Sequence, residues 1–243
     1  MTTALEVQVL RVFVDPAGAH GNELGVVFDA ADLPSELGIR LTAHLGFSET
    51  VFVDDAERAA FRIFTPASEL KLAGHPAVGT AWVLAERTGA APQVLRPKLA
   101  SEVPTWREAG TGGDSDLVWI RGAVADAFLW EYVQLDDPAE VDALLAQPEP
   151  GSAELEQRSR HQFWAWIDEP AGLLRSRSFC ASIGVPEDEA TGSAAIHLTH
   201  RLGRPITIRQ GRGSIIEARP AAESGWAEIG GRVVSDGMRT VTL

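Results

Sequence analysis

The sequence predicts an α+β fold built from two related units. Each half runs through strand-like segments to one helix, that helix opens on the smallest residues the chain has, and it carries few charges. Repetition of this plan reads as two α+β units rather than a parallel doubly wound sheet. The division falls near residues 1–112 and 113–243, and the last strand is free to return to the first unit.

In the first half, residues 5–14 and 24–28 read as strands joined by the Gly-rich turn "DPAGAHGNELG". Residues 32–46 read as a helix: Leu37, Leu41 and Leu45 form a stripe at i, i+4, i+8, and Gly46 stands where a C′ glycine belongs. The runs "FSETVFVD", "AAFRIFTP" and "ELKL" follow as strands. The segment 73–89, "AGHPAVGTAWVLAERTG", is the first small-residue helix, with Pro76 in its first turn and Gly89 past its end. Residues 109–116, "AGTGGDSD", are the expected linker. Their glycines are not a phosphate loop, because neither an amphipathic helix nor a Lys-Ser/Thr ending follows.

In the second half, strands are expected at 117–120 and 128–133, then a polar, low-order stretch over 136–160. The runs "HQFWAWID" and "LLRSRSFCASIGV" precede "VPEDEATGSAAIHL", where three carboxylates lead into a helix over 190–202. Gly203 ends that helix with Pro205 beyond, and strands near 206–209, 214–219 and 227–234 complete the chain.

Composition narrows the function classes. Among 243 residues, 45 % are hydrophobic and 23 % charged, an ordinary globular balance. The net charge is −13, from 21 basic and 34 acidic residues, and only two lysines occur, which argues against nucleic-acid binding. No run approaches a membrane span, and the N-terminus alternates like a strand rather than a signal peptide. One cysteine, Cys180, rules out an internal disulfide framework and fits a reducing cytoplasm.

The two helix mouths point to an anion. Gly74, Ala77 and Gly79 open one helix; Gly192, Ser193, Ala194 and Ala195 open the other. A helix N-terminus presents unpaired N–H donors and the positive end of a dipole, and small residues let a ligand approach that backbone. Two such mouths across a cleft suit a small carboxylate; the alternative is that small residues only ease each helix through a tight sheet. Glu49 shares parity with Val51 and Val53, so it either escapes at its strand's end or is partly desolvated, with a raised pKa. His75 is either a helix-entry residue or a donor to substrate or to a carboxylate such as Asp188, and Asp188 itself could simply be an acid at a helix N-terminus. Ser193 lacks a Ser–His–acid setting and is assigned to binding. His197 and His200, spaced i, i+3, read as solvated helix surface, and no metal or cofactor is expected. Trp164 and Trp166 alternate on one strand face as core or cleft wall.

The blocks "GNELGVV", "FSETVFV", "FRIFTPASELKLAGHPAVGTA", "GVPEDEATGSAAIHL", "ITIRQGRGS" and "GRVVSDG" occur in an order that resembles the PhzF family of phenazine-biosynthesis-type isomerases. The resemblance implies the diaminopimelate epimerase-like fold: two pseudo-symmetric domains, each a mostly antiparallel or mixed sheet wrapped around a central helix, often in a homodimer. It implies Glu49 as general acid/base, His75 and Asp188 as catalytic partners, and Asn22, Gly74, Gly192 and Ser193 at a small anionic substrate. The chain departs from the family at Gly46, at Glu23 in Gly21-Asn22-Glu23 and at Glu189 in Glu187-Asp188-Glu189, and residues 100–170 match poorly. A single cysteine cannot supply the thiol pair of two-base racemases in this fold. A single-carboxyl proton shift is the expected chemistry, with a thiol-free two-base epimerase or a silent binding protein as alternatives.

Overall fold

The computed structural model describes residues 4–110, 116–144, 160–181 and 185–243. Fifteen strands lie in one continuous, repeatedly branched sheet system. In the first half they are β1 (Ala4–Val14), β2 (Asn22–Val27), β3 (Glu49–Asp55), β4 (Ala60–Phe64), β5 (Glu69–Leu70), β6 (Val94–Pro97) and β7 (Val103–Glu108). Then come β8 (Leu117–Ala123), β9 (Glu131–Gln134), β10 (His161–Asp168), β11 (Leu173–Cys180) and β12 (Val185–Asp188). The chain ends with β13 (Ile206–Gln210), β14 (Ser214–Pro220) and β15 (Trp226–Thr242). The helices are α1 (Ser35–Leu45), α2 (Gly74–Thr88), α3 (Pro138–Ala143) and α4 (Gly192–Leu202).

Strands β1–β2–β3–β4–β6–β7–β8–β15 form a ring that closes where β15 pairs antiparallel with β1. The helix inside this ring is α2, buried on every side from Gly74 to Ala81, as a helix with almost no charge must be. A second sheet runs β15–β14–β13–β11–β10–β9, with β12 on the edge of β11. Helix α4 packs against β14 and β15 there. The mixed α+β architecture is thus the one expected. Strand β15 belongs to both sheets: Trp226–Gly231 pair with β8, and Arg232–Thr242 with β1.

The amphipathic stripe works as read, since Leu37 and Leu41 of α1 are buried on the outer face of the first sheet beside Phe52 and Phe64. The helix ends at Gly46 in the left-handed conformation (φ 71°), whose N–H reaches the Thr42 carbonyl. Two readings need correction. Strands β6 and β7 were not anticipated; both are short, β6 pairing with β4 and β7, and β7 with β6 and β8. The polar stretch from 136 begins with a helix, because Asp137 accepts the Ala139 N–H at 2.7 Å and Pro138 takes a first-turn position. Its residues 145–159 lie outside the described residues, as do residues 111–115 of the expected linker. Of the alternatives read for Trp164 and Trp166, the core is the one found: Trp164 is buried in it and Trp166 packs half-buried against it, the two rings edge-on at 5.2 Å. Among the described residues, no helix is long and apolar enough to cross a membrane.

The starts of α2 and α4 meet backbone to backbone. A Cβ placed on Gly74 would lie 2.5 Å from Gly192 Cα, and one on Gly192 would lie 2.5 Å from Gly74 Cα. Alanine gains about 1 kcal/mol of helix propensity over glycine. Overpacking against backbone costs more, about 1–3 kcal/mol. Gly74→Ala is therefore expected to lower stability by up to about 2 kcal/mol net, checked by the urea midpoint at unchanged m-value.

Candidate active site

Glu49 opens β3 on the same side as Val51 and Val53, which face the core around α2, whereas Phe52 faces the cluster beneath α1. The alternation therefore drives a carboxylate inward, and Glu49 is only 6 % exposed. Its Oε2 is buried without a hydrogen-bond partner. His75 Nδ1 stands 3.5 Å away, too far for a good hydrogen bond.

Asp188, at the end of β12, is held at both oxygens. Asn22 Nδ2 donates to Oδ1 at 2.7 Å and Thr191 Oγ1 to Oδ2 at 2.7 Å. Gln210 on β13 supports this arrangement, donating through Nε2 to the Asp188 carbonyl (2.8 Å) and to Thr191 Oγ1 (2.7 Å). Asn22 is the hub. Its Oδ1 accepts from Ser48 Oγ at 3.2 Å, and its two amide hydrogens are taken by Asp188 and the Ala190 carbonyl. The 3.3 Å contact with His75 Nδ1 is left as the weakest of the set.

Among the described residues no lysine or arginine lines the cavity, and burial decides the charges. Desolvation, then the neighbouring Asp188 charge, push Glu49 up to about 8 against the opposing Ser48 hydrogen bond. Burial also raises Asp188, to about 6, while hydrogen bonds from Thr191, Asn22 and Ser48 restrain it. His75 is 2 % exposed, and burial lowers it to about 3 despite the nearby Glu23 backbone. The imidazole is therefore neutral at pH 7. The reading in which His75 holds Asp188 is corrected: Asn22 and Thr191 do so, and His75 lies beside Glu49, behind the cavity wall.

The helix mouths converge on this cluster. The first i→i−4 bonds run from Ala77 N to Ala73 O and from Ala195 N to Thr191 O. The N–H groups of Gly74, His75, Gly192, Ser193 and Ala194 precede them, so two positive dipole ends meet at one point. The glycines serve that contact directly, since neither helix could approach with a side chain there. Ser193 lines the cavity, and its Oγ accepts a hydrogen bond from Trp130 Nε1 at 2.9 Å.

The cavity and the open space at its entrance together measure about 340 Å³. Ser48, Glu49, Asp188, Thr191 and Ser193 form its polar side; Leu70, Leu72, Ala73, Phe128, Trp130, Cys180 and Val185 form the apolar wall. A second, more open pocket shares Ser48, Val185 and Asp188 with it and is also lined by Asn22, Glu23, Glu187 and Glu189. Arg177 clamps Glu187 through two 2.7 Å bonds, and Arg212 pairs with Glu189 at 3.3 Å. His197 turns its Nε2 to the Ala127 carbonyl at 3.3 Å, while His200 is exposed. Ser48, Thr191, Gln210, Phe128 and Trp130 are site residues that sequence reasoning did not select. Thr191 carried a signal, being an N-cap threonine, yet its hydroxyl caps nothing in α4: it donates to Asp188 and accepts from Gln210. Gln210 and Trp130 carried none, since only tertiary pairing brings them here.

Comparison with known proteins places this geometry. A family model described as "Phenazine biosynthesis-like protein" matches residues 10–121. The trans-2,3-dihydro-3-hydroxyanthranilate isomerase of Pseudomonas fluorescens is 31 % identical, with 92 % of this chain and 95 % of that protein aligned. The chain belongs to the PhzF-like family of isomerases. A Bacillus anthracis phenazine biosynthesis protein of the PhzF family superposes with a TM-score of 0.77 at 20 % identity, over 99 % of this chain and 100 % of that one. A Pseudomonas aeruginosa protein titled a predicted epimerase gives 0.69 at 24 % identity, over 98 % and 99 %. These two likenesses establish the shared PhzF and epimerase-like fold.

The perturbed groups of this PhzF-like protein carry a stability signature. Between pH 4.5 and about 8 the folded chain keeps the Glu49 proton that an unfolded chain releases, so stability falls as pH rises through that window. For His75 the folded chain binds fewer protons below 6.5, so its contribution is lost as pH falls toward about 3. Glu49→Gln is expected to be more stable than the parent by roughly 2–4 kcal/mol at pH 8.5, with the difference closing near pH 4.5, checked by urea unfolding across pH.

Proposed function

We propose that the chain catalyses a cofactor-independent, single-base proton shift on a small carboxylate, with Glu49 as the only proton carrier. One observation carries the reading: of the two buried carboxylates that line the cavity, Glu49 has an unpartnered oxygen and Asp188 has none. A base needs a free lone pair; a carboxylate with both oxygens engaged holds geometry and charge. This asymmetry favours one carrier over two opposed bases.

In the proposed reaction the substrate carboxylate lies against the starts of α2 and α4. Ionised Glu49 removes a proton from a carbon near that carboxylate, and the electron pair spreads into the allylic system. Charge developing on the carboxylate is met by the N–H donors at the helix starts and by Ser193, which are in place before reaction. The same carboxyl then returns the proton to the distal carbon on the same face. The double bond moves, and nothing is oxidised or reduced. Asp188 raises the basicity of Glu49, and neutral His75 adds no competing positive charge. The substrate named for the Pseudomonas fluorescens relative, trans-2,3-dihydro-3-hydroxyanthranilate, is such a carboxylate and is the first compound to assay.

Glu49→Gln should retain ligand binding and lose turnover by about 10³-fold or more. In deuterated water the parent should retain part of the migrating hydrogen. Complete exchange, or full activity of the Gln variant, would defeat the single-carrier reading. The pH profile gives an independent check. The kcat/KM of the parent should rise through about 8, and Asp188→Asn should move that limb to lower pH, because removing the neighbouring negative charge makes Glu49 easier to ionise.

A further inference from the structure

The wall of the cavity contains one polar contact that the proton shift does not use. Trp130 Nε1 donates to Ser193 Oγ at 2.9 Å, and Trp130 is 9 % exposed. An indole N–H can only donate, whereas a serine hydroxyl can both donate and accept. With the indole on one lone pair, the hydroxyl hydrogen is turned away from Trp130, and among the described residues no acceptor is placed for it. Ser193 faces the cavity. Two residues further on, Tyr132 OH donates to the Ala194 carbonyl at 3.1 Å, so the start of β9 grips successive residues in the first turn of α4.

We infer that Trp130 is a positioning residue that fixes the Ser193 hydroxyl as a donor to the substrate carboxylate, making the cavity selective for an anion over the corresponding neutral amide. The inference rests on the reading of the cavity as a carboxylate site and adds how that site tells a carboxylate from its isosteres. With Ser193 so set, the polar groups facing the substrate head from α2 and α4 are all donors: the helix N–H groups and one hydroxyl. A carboxylate is a pure acceptor and matches this set, whereas an amide NH₂ would face donors with no partner. A buried donor left unpaired is costly, which makes the discrimination large for a small chemical change. Without the indole N–H, the hydroxyl is free to rotate and accept, and the amide is penalised less.

The test uses benzoate and benzamide, which share a shape and differ in the head group, with binding measured by isothermal titration. The parent protein should prefer benzoate. Trp130→Phe keeps the ring and loses the N–H; it should weaken benzoate about fivefold and change benzamide by less than about twofold. Ser193→Ala should narrow the ratio similarly, and the double variant should be no worse than Ser193→Ala alone, because both remove one coupled unit. Phe128→Leu alters the adjoining wall without touching Ser193, and should weaken both probes equally. An unchanged benzoate/benzamide ratio in Trp130→Phe, additive losses in the double variant, or a parent protein without preference for benzoate would overturn the inference. Measuring the same pair on Glu49→Gln separates the two readings: the Trp130 dependence should persist there, whereas turnover by that variant sinks only the proton carrier.

Discussion

Two helix starts touch at Gly74 and Gly192, and the geometry of the site depends on that contact. Like ends of two dipoles repel, so their approach has to be imposed by the rest of the molecule. The constraint is β15. Its Ile229 side chain would lie 2.6 Å from a Cβ on Gly74 and 2.8 Å from one on Gly192, so it is wedged against both starts. The same strand pairs with β8 and β14 near Ile229 and with β1 further along, so both sheets fix its position. Closing the ring and placing the helix mouths are therefore one structural event. An anion bound there relieves the repulsion that the sheets enforce, which couples ligand binding to the stability of the contact.

The carboxylates are arranged by the same logic of imposed proximity. Glu49 and Asp188 come from different halves, and Asn22 lies between their elements as a neutral donor. Had an arginine stood at that position, both acids would ionise and no proton carrier would work near neutral pH. An amide satisfies Asp188 without supplying a charge, so Glu49 remains next to a negative group with one oxygen unanswered. Buried groups with unmet hydrogen-bonding capacity are uncommon, and when they cluster in a cavity they mark chemistry rather than packing.

Much of this was legible in the sequence, and the failures share a cause. Period and punctuation exposed α1, through Leu37, Leu41 and Gly46, and α2, through its small residues and Gly89. Parity placed Glu49 inward, because one strand face carries Val51 and Val53 whatever the partners are. The paired helix mouths were visible as composition. Short β6 and β7 were not, since four to six residues show no period until a partner is known. Nor was the double role of β15, whose 17 residues cross from one sheet to the other without any local mark. Trp130 meets Ser193 across 63 positions, Asn22 meets Asp188 across 166, and Gln210 meets Thr191 and Asp188 across 19 and 22, and no periodicity within a window of sequence reports them.

The origins of the site residues also separate reactivity from selectivity. The proton carrier, the acid that tunes it and the helix donors all sit on β3, β12, α2 and α4, elements locked by sheet closure. The aromatic wall comes from residues 127–130, which form no strand and are tied to the first half by a bridge between Leu72 and Ala127. The charged and hydrogen-bonding groups that act on Glu49, Asp188 and Ser48, stand on the polar side and not on this wall. A chain can therefore reshape the wall for a different carboxylate while its acid–base pair stays unchanged. The Trp130–Ser193 bond is where the two layers meet, because there a wall residue determines what a helix-start hydroxyl offers the substrate.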